Sequence, residues 1–246
     1  MGFYGKDLAQ VHDEAYCAHA AAAAACAERL LKGLPKGTLV YDLGCGTGLT
    51  TRALLRRGFK VAGVDASPGM LAIARKRAPG ARFTRGSLYG LRLHACGAVL
   101  AIGEVLNYTA RPAGHKSAAA AFFRRVHAAL RPGGVFLFDL AGPGQVPGGR
   151  GRSWTAGRGW HVLVDKREDG RGVLRRGIIT LMRSRGGLRR GEETHVQKLL
   201  EPSWTAAQLR AAGFSVKVLP GYGRYRLDQR RYAVLAVKPP GSPAVL

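Results

Sequence analysis

Acidic side chains are scarce in this chain. Aspartate and glutamate total 15 against 39 lysines and arginines, leaving a formal charge of +24. Such an excess attracts polyanions, because Lys and Arg displace condensed counterions from phosphate. Arginine, however, is spread along the whole length. No RNA-module signature accompanies the clusters at Arg175-Arg176, Arg183, Arg185 and Arg189-Arg190. We therefore read a bias in composition first, and nucleic acid as a partner that is possible but not favoured. Cysteine is sparse as well. Cys17, Cys26, Cys45 and Cys96 show no C-x-x-C spacing, which excludes a zinc knuckle or a disulfide framework and suits a reducing compartment. No metal site is expected. Long apolar runs are missing too: the alanines at 20–25 are too few, and too closely flanked by charge, to cross a bilayer. No basic segment followed by an apolar one opens the chain. The expectation is a soluble cytoplasmic protein without membrane contact, monomeric or homodimeric.

What is present describes an ordinary globular chain. With 246 residues, 46% of them hydrophobic and 22% charged, one large α/β domain with a substantial core is within reach. Residues 7–32 are Ala-rich with recurring apolar positions and predict a helix ending near Gly33 and Pro35. A buried strand over 38–42 leads into a glycine turn and a helix over about 49–57. A second strand, 60–65, precedes Ser67 and Pro68, which suit the N-cap and N1 positions of the next helix. Strands at 81–85 and 98–102, a helix at 117–130 and a strand at 135–139 continue the alternation, which implies βαβ units and a parallel sheet. Beyond Gly142 the pattern changes. Residues 142–159 read as a loop, and 160–200 as an antiparallel meander turning at Asp169-Gly170 and Gly186-Gly187. A helix over 202–212 and strands at 214–219 and 232–237 close the chain. The division expected is an N-terminal helical cap (1–37), a ligand-binding half (38–141), a β insertion (142–200) and a closing helix with strands (201–246), all in one domain.

The sharpest local signal is Asp42-Leu43-Gly44-Cys45-Gly46-Thr47-Gly48, between an apolar strand and a helix. Glycines allow a tight turn and close approach of backbone to ligand, and the helix start supplies free N–H groups. The spacing is G-x-G-x-G, not the G-x-G-x-x-G of dinucleotide sites. An acid also precedes it, which suits a ligand with a cationic end better than a pyrophosphate. Asp65 ends the second strand, where a carboxylate can accept from both hydroxyls of a ribose. It is read as a ribose ligand and not as the helix cap, since Ser67 already fits that place.

These segments, with Met70 after Asp65 and the Leu130-Arg-Pro-Gly-Gly134 turn, resemble the class I S-adenosylmethionine-dependent methyltransferases of the bacterial small-molecule type. The likeness is fullest over 38–141. It implies a Rossmann-like, mostly parallel sheet of seven strands carrying the β insertion, with S-adenosylmethionine as methyl donor. It also implies that Gly44, Gly46 and Gly48 line the donor's methionine part and that Asp65 holds its ribose. Ser87 and Leu88 would flank the adenine, and Gly103 and Glu104 would face the methyl side. Asp42, Cys45, Ala66, Met70 and Tyr16 complete the expected donor set. Two departures stand out: Ser87 replaces a frequent acid, and Gly97 replaces a frequent Asp before the fourth strand.

Glu104 is the first choice of general base, because crevices of α/β sheets open after such strands. His12, in the helix that would cap the donor, is the second, and His195 is set aside. Tyr16, Asn107, Tyr108, Tyr222 and Tyr225 are candidates for shaping an acceptor pocket. The segment Gly103-Glu104-Val105-Leu106-Asn107-Tyr108 lacks the proline-containing turn with which enzymes of this class grip a nucleobase amino group. The function expected is therefore methyl transfer to an N or O atom of a small molecule. An RNA methyltransferase and a non-catalytic donor-binding scaffold are the alternatives.

Overall fold

The computed structural model describes residues 3–228 and 230–241. Residues 1–2 of the expected cap, Gln229, and residues 242–246 of the closing segment lie outside the described residues. Helices α1 (Lys6–Ala15) and α2 (Cys17–Leu30) come first. They are followed by β1 (Leu39–Leu43), α3 (Leu49–Arg56), β2 (Lys60–Asp65), α4 (Pro68–Arg77) and β3 (Arg82–Arg85). Then come β4 (Cys96–Ala101), α5 (His115–Ala129) and β5 (Leu130–Ala141). Seven strands form one sheet in the order β10-β13-β5-β4-β1-β2-β3. The closing part of the chain supplies α6 (Pro202–Ala211), β10 (Ser215–Leu219) and β13 (Arg231–Val237) to it. Strands β1 to β5 pair in parallel, and β13 is antiparallel to both β5 and β10. This is the expected α/β architecture.

Strand β4 is buried at all six positions, as a central parallel strand covered on both faces must be. One face packs Phe122 and Phe123 of α5 against Phe136 and Phe138 of β5, with Phe214 beside them. The other face packs Ala23 and Ala27 of α2 and Leu54 of α3 against Val40, Leu100 and Leu137. The strand order reverses between β1, which continues to β2, and β4, which continues to β5. A crevice opens at the carboxyl ends of these strands, where α/β sheets bind ligands.

The insertion is a four-stranded antiparallel sheet, β6 (Arg150–Gly157), β7 (Trp160–Glu168), β8 (Val173–Ser184) and β9 (Gly187–Lys198). Its inner face buries Trp160, Val162, Ile178 and Met182 against Leu8 and Val11 of α1. Cap and insertion therefore meet above the crevice. Short strands β11 (Gly221–Tyr222) and β12 (Tyr225–Arg226) form a ribbon beside it.

Two expectations are corrected, and one departure is explained. The single helix over 7–32 is two helices broken at Tyr16 (φ −121°, ψ 28°), so that α1 lies on α4 while α2 lies on α3. The loop expected over 142–159 contains β6. That strand is a mostly exposed, glycine-containing edge strand, without the apolar alternation that marks half-buried strands. At Gly97, a Cβ would fall 2.4 Å from Thr38 Cγ2 and 3.0 Å from Leu34 Cδ1. The Asp that related sequences carry there has no room.

Asn107 is no pocket-shaping residue. It is fully buried and joins the sheet to the insertion. Its Nδ2 donates to the carbonyls of Ala141 (3.0 Å) and Lys198 (2.7 Å), and its Oδ1 accepts from Ala141 N (2.9 Å). No water replaces such bonds cheaply in the interior, and each buried group left unsatisfied costs about 1–3 kcal/mol. Asn107→Ala should lower unfolding free energy by at least about 2 kcal/mol, read as a reduced denaturation midpoint. An unchanged midpoint would refute the clamp.

Candidate active site

The glycine turn begins where β1 ends. Gly44 has φ +65° and donates to Val64 O at 2.7 Å. A Cβ on it would lie 2.2 Å from Val105 Cγ1, so only glycine fits this wall. The carboxylate of Asp65 accepts from Gly46 N at 2.9 Å and from Ser67 N at 2.8 Å. Ser67 caps α4 as expected, accepting from Met70 N at 3.0 Å. A carboxylate has about four acceptor sites. Two are filled here, so Asp65 retains capacity for the two hydroxyls of a ribose. Burial raises its pKa, against the backbone N–H groups that favour the ionised form.

Two adjoining cavities fill the crevice. The first, about 670 Å³, brings together Gly44, Gly46, Asp65, Ala66, Met70, Ser87, Leu88 and Gly103. The second, about 510 Å³, is lined by Asp42, Cys45, Tyr16 and Glu104 among others. Gly44, Gly46, Gly103, His12, Tyr4 and Tyr108 border both. Gly48 borders neither. Its φ is +82°, and a Cβ would meet Ala74 Cα at 3.1 Å, so it serves the close packing of α3 on α4 and not the lining of a ligand. Asp42 is buried, its pKa is pushed up to about 6 by burial, and it accepts from Thr51 Oγ1 at 2.5 Å.

Glu104 is held as an anchor. The residue has φ +59° and a buried carboxylate. Oε2 lies 3.1 Å from Arg176 Nη2 and 3.1 Å from Gln197 Nε2, and Oε1 lies 2.8 Å from Arg231 Nε. Both oxygens are thus taken up by partners from the insertion and from β13, so the side chain ties these elements together and does not project free into the cavity. His12 stands at the junction of the cavities, edge-on to Tyr4 with ring centroids 5.2 Å apart. Burial lowers its pKa to about 4, so the ring is neutral near pH 7. His195 borders neither cavity. It is buried among Phe3, Tyr4 and Tyr108 and pairs with Glu193 Oε2 at 2.9 Å.

A further pair was not anticipated. His19 of α2 faces the second cavity, and its Nε2 lies 3.1 Å from Asp139 Oδ2. Asp139 also accepts from Tyr222 Oη at 2.6 Å, Glu104 N at 2.7 Å and Gly103 N at 3.0 Å. Burial opposes the charge on Asp139, but the bonds from His19, Tyr222 and Gly103 outweigh it and hold the carboxyl below its usual range. Burial also opposes charge on His19, and the bond and charge of Asp139 outweigh it, raising the imidazole pKa. Tyr225 stacks on His19 at 5.8 Å. The signal was available. Asp139 lies near the end of β5, as Asp42 and Asp65 lie at or near the ends of β1 and β2, and His19 is a lone polar ring within an alanine run.

Residues 40–134 match the family described as "Methyltransferase domain". A relative from Streptomyces venezuelae, dTDP-3-amino-3,4,6-trideoxy-alpha-D-glucopyranose N,N-dimethyltransferase, is 28% identical over 236 residues, 89% of this chain and 94% of its own. The S-adenosylmethionine-bound amino pentose methyltransferase CalS10 from Micromonospora echinaspora is 26% identical. It superposes with a TM-score of 0.69 over 93% of this chain and 97% of its own. An S-adenosylmethionine-dependent methyltransferase from Clostridium acetobutylicum ATCC 824 shares the fold, with a TM-score of 0.77 at 19% identity over 95% and 98% of the two chains. A ribose-ready carboxylate, a turn that admits only backbone and a switch-point crevice lie in the part of the chain that matches the methyltransferase domain, and the chain as a whole has the fold of the class I S-adenosylmethionine-dependent methyltransferases.

Proposed function

We propose that this enzyme methylates the nitrogen of a small-molecule amine, an amino sugar being the acceptor class that fits best. One observation carries the reading: the His19–Asp139 pair opens on a cavity that adjoins the donor crevice. A volume of about 510 Å³ lies in the range of small-ligand pockets, whereas a nucleic-acid strand needs an open groove. Two relatives matched over most of their length and more than 25% identical act, by their names, on amino sugars. The four free cysteines fit a cytoplasmic setting.

The donor, when bound, supplies a methyl group already activated by its sulfonium. The protein's task is then placement, since in-line orientation of two reactants is worth up to about 7–11 kcal/mol. Asp65 and the glycine turn fix the donor, and α1 and the meander roof the cavity against water. An amine enters largely as its ammonium ion and must lose a proton before it attacks. His19 is the group to take it. With Nε2–H directed at Asp139, the lone pair on Nδ1 is the ring's acceptor, and the buried aspartate stabilises the imidazolium that forms. His12, neutral near pH 7, acts as a hydrogen-bonding wall of the junction.

Two outcomes test this. Asp65→Ala should weaken binding of S-adenosylhomocysteine at least about tenfold by calorimetry, the equivalent of about 1.4 kcal/mol. Unchanged affinity would contradict the assignment of the donor site. Against a panel of amino sugars, His19→Gln should lower kcat by about 10²-fold with donor affinity retained, and the product should carry the methyl on nitrogen. The wild-type rate should fall as pH drops through the His19 pKa, which lies above the ordinary value. Asp139→Asn removes the charge that raises that pKa, so the acid limb should move to lower pH. A limb that stays in place in both variants would remove His19 from the mechanism, and a methyl ether product would redirect the reading to oxygen.

A further inference from the structure

One face of the meander walls the second cavity. Successive strand side chains point to opposite sides, so Val162, Val164 and Lys166 of β7 share a face. Arg176 and Ile178 of β8 join them, and all five border the cavity. The register sets Val164 opposite Ile178 and Lys166 opposite Arg176. The wall is therefore apolar at one end and cationic at the other, over about 13 Å at the usual strand rise. Like charges directly opposed across a strand pair destabilise a sheet. Part of this charge is answered. Glu104 meets Arg176 and Arg231, and Asp228 lies 3.2 Å from Arg231 Nη1. Lys166 is not answered: among the described residues no carboxylate stands within ion-pair distance of it. The Nε of Arg176 is buried without a hydrogen-bond partner. Burial and the two guanidinium groups push the Lys166 pKa down, as expected of a cation among cations.

We infer that the methyl acceptor carries a second, anionic group, a phosphate or a carboxylate, which seats against Lys166 and Arg176 while its amine faces the donor. This rests on the small-molecule reading above. The anion removes the like-charge conflict across β7 and β8, and it gives the acceptor a fixed point from which its reacting atom is aimed. The competing source of an anion is the carboxylate of the donor's own methionine part.

The test uses the full chain saturated with S-adenosylhomocysteine, titrated calorimetrically with inorganic pyrophosphate and, separately, with succinate. Wild type is compared with Lys166→Gln and with Arg158→Gln, a control that removes one positive charge at the exposed β6–β7 turn. At least one anion should bind wild type, Lys166→Gln should weaken it tenfold or more, and Arg158→Gln should change it less than twofold. Pyrophosphate alone indicates a phosphate-bearing acceptor, and succinate alone a carboxylate-bearing one. No binding of either, or equal binding by wild type and Lys166→Gln, overturns the inference. So does a tenfold loss of S-adenosylhomocysteine affinity in Lys166→Gln, which would give the lysine to the donor. Failure of wild type to bind S-adenosylhomocysteine at all would instead strike the reading beneath it.

Discussion

The carboxylate of Asp139 is the constraint on which the site hangs. It is 1% exposed, and a buried anion persists only where paired and hydrogen-bonded groups offset the loss of water. Its partners come from separate stretches of chain: the backbone after β4, the ring of His19 on α2, and the hydroxyl of Tyr222 on β11. Satisfying one charge therefore places the N-terminal cap, the crevice loop and the terminal ribbon at once. The proposed base takes both its orientation and its basicity from this carboxylate.

Glu104 forms a second knot adjoining the first. Its N–H points to Asp139 because the residue adopts a left-handed backbone, a conformation that costs a non-glycine residue about 1–3 kcal/mol. The side chain then reaches Arg176 on the insertion and Arg231 at the start of β13. The strain is held by ionic contacts on both sides. Removing one member of a buried ion pair leaves the other charge uncompensated, which is far worse than the pair was favourable. The meander is thus tied to the sheet by charge at Glu104, by amide bonds at Asn107 and by apolar contact with α1. That triple attachment makes it a wall and not a loose flap.

Much of the donor half was legible, because its signals are local. The strand, the glycine turn and the helix are contiguous, and Asp65 follows at the spacing a second strand requires. The turn glycines were legible as conformational necessities, but whether a glycine faces ligand or a neighbouring helix is a tertiary fact, and Gly48 packs on Ala74. The break at Tyr16 carries neither glycine nor proline and could not be read from propensity. β6 escaped because an exposed edge strand has no apolar period. The His19–Asp139 pair escaped for another reason: the two are 120 residues apart, so although each stands out in its own segment, their contact emerges only when the fold sets them side by side. Glu104 was legible as an acid at the crevice, yet the arginines that change its role arrive from 72 and more residues downstream.

The scarcity of acids has a geometric consequence. Asp42, Asp65, Glu104 and Asp139 all border the crevice or support it, and each is engaged by hydrogen bonds or guanidinium groups. Four of the fifteen acids are thereby committed to the site, while the 39 lysines and arginines are spread along the chain. A protein charged in this way draws small anions toward itself over distances comparable with the Debye length. For the anionic acceptor inferred above, long-range attraction and the cationic end of the cavity wall would act through the same sign of charge, so the net charge and the proposed subsite are consistent with each other.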